Sequence, residues 1–85
     1  MELKESFLKK ISYNQRLIVT ALAKKSEGML SKELAHKTGI SNKSSIVGNK
    51  LKESLAKEGL ELYLERVSRQ WLWKLRPIQP LEVVE

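Results

Sequence analysis

Two stretches of this chain are rich in cations and hold no acid. Residues 34–52 contain Lys37, Lys43, Lys50 and Lys52, and residues 66–76 contain Arg66, Arg69, Lys74 and Arg76. These eight are half of the sixteen basic residues, and the rest of the chain sets eight cations against ten glutamates. The formal charge of +6 is therefore confined to two segments. Confined positive charge is the pattern of a polyanion-binding face, the alternative being a generically basic, soluble surface. Ser41, Asn42, Lys43, Ser44 and Ser45 form a polar run within the first segment. At a helix start, small hydroxyls and free amides bind phosphate, or serve only as caps and turn formers.

Other chemistries find little support. The sequence has no cysteine, a single histidine (His36) and no aspartate, so a disulfide framework, a thiolate zinc site and a Ser-His-Asp set are all excluded. The glutamates show no paired-acid spacing, no glycine-rich phosphate loop is present, and Glu33 beside His36 reads as a helical neighbour. No enzyme activity, metal or cofactor is expected. No apolar run approaches the roughly 20 residues of a membrane span, and the first residues lack a signal-peptide core. The expected setting is the cytoplasm, without membrane contact. Eighty-five residues allow one small domain, expected over residues 1–76, with 77–85 as a C-terminal tail.

The elements that must position the cations follow from periodicity. Leu3, Phe7, Leu8 and Ile11 share one face of a helix over residues 2–11. Ser12 and Gln15 have capping-box spacing for a helix over 13–26 with Leu17, Ile18, Ala21 and Leu22 inward, Lys24 and Lys25 in its last turn and Gly28 as its stop. Met29-Leu30 reads as a short extended pair, and Ser31 as the cap of a helix over 32–38. Gly39 permits a left-handed turn, Ser41 caps the next helix, and that helix runs to about Glu58 with Val47, Leu51 and Leu55 as its buried stripe, Gly48 and Gly59 interrupting or ending it. From Leu60 the period falls to two. Leu60, Leu62 and Leu64, then Trp71, Trp73 and Leu75, form two alternating runs. A two-residue loop at Ser68-Arg69 pairs Arg66 with Trp71, Leu64 with Trp73 and Leu62 with Leu75, although Ser-Arg is not a favoured turn pair. Both tryptophans then cover the core, and Tyr63 falls on the opposite, exposed face. Pro77 and Pro80 end the sheet.

Ala35, Gly39, Ile40 and Ser41 supply, in order, a close helix approach, a turn, an apolar plug and a cap, which is the chemistry of a helix-turn-helix. The order helix, helix, turn, helix, hairpin resembles the winged-helix superfamily. Val47 to Leu55, with Lys50-Leu51-Lys52 inside it, is similar to the recognition helix of response-regulator effector domains. Leu64-Glu65-Arg66-Val67 followed by Trp71-Leu72-Trp73-Lys74-Leu75 resembles their C-terminal hairpin. The resemblance covers residues 13–76. The chain departs from that family in its N-terminal helix, where a small sheet is usual, and in Ser68-Arg69-Gln70, where a glycine-rich tip is usual. The superfamily is therefore carried over and the subfamily is not.

The expected fold is mainly α with a small β-hairpin (α+β): a three-helix helix-turn-helix core, an extra N-terminal helix, the helix-turn-helix at 31–58 and a C-terminal wing at 60–76. The resemblance implies double-stranded DNA as partner, with the third core helix in the major groove and the wing on the backbone or minor groove, in transcription regulation. Ser45, Asn49 and Glu53 then face outward. Asn49 fits bidentate reading of adenine, or an ordinary exposed polar position. Lys50 and Lys52 suit phosphate, joined by Lys43, Ser44 and Ser45 at the helix start. Arg66 and Arg69 are the wing contacts, Arg69 first, with Lys74 and Arg76 farther from the tip. Ile46 reads as packing. Three other readings stay open. One is a protein-interaction module within a larger nucleoprotein assembly. Another is RNA or single-strand binding through Tyr63 and an exposed tryptophan. In the third, the first helix joins two copies through Leu3, Phe7 and Ile11, unless it simply covers the core.

Overall fold

The computed structural model describes residues 2–41 and 46–78. Among them, helices α1 (Glu5–Leu8), α2 (Tyr13–Ala23), α3 (Ser31–Thr38) and α4 (Asn49–Lys57) pack with strands β1 (Met29–Leu30), β2 (Leu60–Val67) and β3 (Gln70–Pro77). The sheet is antiparallel in the order β1–β3–β2. The chain is thus a mixed α+β domain.

The capping box forms as its spacing requires. Ser12 Oγ accepts from the Gln15 amide at 3.2 Å, and Gln15 Oε1 accepts from the Ser12 amide at 3.0 Å. Helix α2 is the centre of the core and packs against both α3 and β3. Val19 is accordingly as fully buried as Ile18 and Leu22, although it lies off the expected stripe. The helix ends at Ala23, so Lys24 is its C-cap and Lys25 lies beyond it. The N-terminal helix is shorter than expected. It has no side-chain cap at Lys4 and makes one turn before the chain bends toward Ser12. Phe7 and Ile11 are buried in the chain's own core, with Leu3 and Leu8 packed against it. The apolar face considered for a symmetry mate is therefore covered within the chain.

Met29-Leu30 is a third strand. It pairs Met29 with Trp73 and Leu30 with Leu72. Gly28 makes this docking possible, because its φ is +88° and a Cβ there would lie 2.8 Å from the Trp73 carbonyl oxygen. Ser31 does not cap α3: the N-cap is Leu30, without a side-chain hydrogen bond. Its Oγ instead accepts from the Trp73 indole Nε1 at 2.9 Å, so the buried N–H is satisfied from the first residue of the helix. At the far end of α3, Thr38 Oγ1 donates to the Leu34 carbonyl and accepts from the Ile40 amide, and Gly39 takes the left-handed cap with φ 75°.

The helix expected from Ser41 to Glu58 is interrupted at Gly48, the glycine within its pattern. Val47 is a bend, Gly48 is extended with φ −98° and ψ −177°, and regular helix resumes at Asn49. Glycine is the weak point of a helix, having no side chain to favour the helical state. Residues 42–45, where the Ser41 cap would act, lie outside the described residues. Leu51 and Leu55 are fully buried, with Val47 packed at the edge of the core.

Ser31→Ala should separate the two roles of this serine. Alanine favours the helix, but it leaves the Trp73 N–H without a partner. We expect a net loss of about 1–3 kcal/mol, read by thermal unfolding at about 4–8 °C per kcal/mol for a domain of this size. Ser31→Thr, which keeps the hydroxyl, should lose less.

Candidate nucleic-acid interface

The hairpin has the register that alternation dictates. Arg66 pairs with Trp71, Leu64 with Trp73 and Leu62 with Leu75. The loop is Ser68-Arg69, and Ser68 takes a left-handed φ of 57°, which costs a non-glycine residue roughly 1–2 kcal/mol. Arg69 sits exposed at the tip.

The two tryptophans do not share one fate. Trp73 and Leu75 are 5% and 3% exposed, but Trp71 is 44% exposed and Leu64 38%. Both belong to the core-side face by alternation, and the hairpin extends past the helices that would cover them. The expectation that Trp71 covers the core is thereby corrected. Arg66 lies over Trp71, its Cζ 5.4 Å from a ring centroid, within the range of a cation–π contact.

The opposite face of the hairpin holds a closed set. Arg76 Nε donates to Glu61 Oε1 at 2.8 Å, and its Cζ lies 3.8 Å over the Tyr63 ring. Tyr63 lies on this opposite face, as alternation places it, and is half-buried there. Arg76 already has a carboxylate and an aromatic partner. Of the four cations in the acid-free segment 66–76, it is thus the least available to an outside anion.

On α4, Asn49, Lys50 and Lys52 are all exposed, with Lys57 and one carboxylate, Glu53. The break at Gly48 makes Asn49 and Lys50 the first residues of the helix. The helix dipole is positive there, and no acid occupies the first turn. Gln15 fixes this end of the helix in space: while its Oε1 completes the α2 capping box, its Nε2 donates to the Ile46 carbonyl at 3.0 Å. A glutamine three residues after a serine signals the cap, but nothing in the sequence signals the tie to Ile46. Ile46 packs against the core, as its place at the edge of the apolar face suggests. Lys43, Ser44 and Ser45 lie outside the described residues.

Asn49, Lys50 and Lys52 thus stand exposed on α4, and Arg66 and Arg69 stand exposed toward the tip of the hairpin. The two elements adjoin, because α4 packs on β2. His36 is exposed on α3, and among the described residues no group of three histidines or carboxylates is placed to hold a metal. Compared with protein-family models, curated proteins and solved structures, the chain matches none.

The two arginines at opposite ends of the hairpin should respond differently to truncation. Arg76→Ala removes an ion pair and a stacked ring and should lower stability by about 1 kcal/mol. Arg69→Ala should stay within about 0.5 kcal/mol of the parent. Chemical denaturation of both variants reads the difference.

Proposed function

We propose that this chain is a winged-helix domain that binds double-stranded DNA in regulation of transcription. In this reading α4 enters the major groove and the β2–β3 hairpin lies on the adjacent backbone or minor groove as a wing. The observation that carries the proposal is the placement of the cations. Lys50, Lys52, Arg66 and Arg69 stand exposed on two adjoining elements, and Arg76, nearby in sequence, is held by Glu61. Asn49, at the start of α4, has an amide that both donates and accepts and is the candidate base reader. Lys50, Lys52 and Arg69 position the duplex through phosphate. The expected three-helix core and hairpin fit the α+β architecture, and β1 adds the third strand that the hairpin docks on.

Titration of a labelled duplex at two salt concentrations tests the proposal. Affinity should fall steeply as salt rises, with a log–log slope near −0.9 for each phosphate neutralised. Lys50→Glu with Lys52→Glu should weaken binding at least tenfold at the lower salt, with thermal stability little changed because both side chains are exposed. Absence of binding at low salt would falsify the proposal. Asn49→Ala separates reading from positioning. It should flatten the preference among duplexes selected from a random pool and leave the salt slope unchanged.

A further inference from the structure

We infer that the tip of the hairpin, through Trp71, is a stacking platform for an unpaired base, so that duplex DNA bearing a single-stranded tail is bound in preference to a plain duplex. This rests on the DNA-binding reading above and names the form of DNA that the site favours. The hairpin carries Leu62, Leu64, Trp71, Trp73 and Leu75 on one face, but only its base is covered. Trp73 and Leu75 are buried, whereas Trp71 and Leu64 open to solvent at the tip. An indole left 44% exposed has a π-face to offer. The Arg66 guanidinium lies over that ring, and Arg69 stands in the loop beside it.

Leu64, Arg66, Arg69 and Trp71 include no carboxylate. Glu65 alternates to the opposite face, where Glu61 is already paired with Arg76. An apolar protein surface would cover Leu64 and Trp71 but would strip water from two guanidinium groups without replacing it. A nucleotide matches both requirements, with a flat apolar base for the indole and a phosphate for the arginines. Inside an intact duplex the faces of each base are covered by its neighbours, and exposing one costs a few kcal/mol. An unpaired base beside the duplex offers its face without that penalty.

The test compares one labelled duplex sequence without and with a single-stranded tail of either polarity, titrated with the full chain at fixed salt. The tailed form should bind about tenfold more tightly, the order of one base–aromatic stack. Trp71→Ala should abolish that preference and leave the plain-duplex Kd within twofold, with thermal unfolding confirming that the variant folds. Trp71→Phe should retain most of the preference. Tailed DNA should quench the fluorescence of the parent but not of Trp71→Phe, whose remaining tryptophan, Trp73, is buried. Equal affinity for the two forms, or equal weakening of both by Trp71→Ala, overturns the platform and leaves duplex binding standing. Failure to bind either form at low salt overturns both.

Discussion

Trp73 is the junction between the sheet and the helices. Its backbone pairs with Met29 on one side and Leu64 on the other, so it occupies the central strand. Its indole is buried and donates to Ser31 at the start of α3. Its carbonyl oxygen lies where any side chain at Gly28 would collide with it. One residue thereby ties together the edge strand, the phase of the hairpin and the first turn of a core helix. In a chain of 85 residues, burial alone leaves little margin. A directional bond inside the core then does what bulk hydrophobicity cannot, because it rejects neighbouring registers. A one-residue slip would turn Trp73 to the other face and strand its N–H.

The same small core leaves the hairpin partly uncovered. Eight-residue strands extend roughly 26 Å at about 3.3 Å per residue, and the helices shield only the base. Beyond that point the alternation continues without anything to bury it, which puts Leu64 and Trp71 in water. An open apolar arm invites association with other sheets. The charges of Arg66 and Arg69 oppose that, and the guanidinium over Trp71 covers part of the ring. The features that keep the arm soluble also give it the chemistry of the proposed nucleotide contact.

Much of this was legible in the sequence, for physical reasons that differ from element to element. Alternation with a period of two puts Leu62, Leu64, Trp73 and Leu75 on a common face, and the two-residue loop at Ser68-Arg69 then selects the register. The capping box at Ser12 is local and needs no tertiary knowledge. Alternation names the face of Trp71 but not the length of hairpin that the helices can reach, and that is where its burial was misjudged. Two residues of β1 are too few to carry a period. Ser31 looks like a cap because serines usually are, and a long-range bond to Trp73 overrides that local tendency. Among the candidate site residues, exposure at Asn49, Lys50, Lys52, Arg66 and Arg69 follows from polarity. The withdrawal of Arg76 depends on the cross-strand pairing of Glu61 with Arg76, which emerges only once the register is applied to the polar face.

The interruption at Val47–Gly48 changes what α4 can do. In an unbroken helix from Ser41, Asn49 and Lys50 would sit in the third turn, where every backbone amide is engaged. With the regular helix beginning at Asn49, the same side chains stand at the positive end of the dipole. In the proposed DNA contact, side-chain charge and backbone field would then act together on one phosphate. The position of this end is set from outside the turn, since Gln15 holds the Ile46 carbonyl from the N-terminus of α2. A glutamine that begins one helix thus helps to decide where the other presents its polar end. The turn motif alone, read from Ala35 and Gly39, accounts for how the chain leaves α3 but not for where α4 starts.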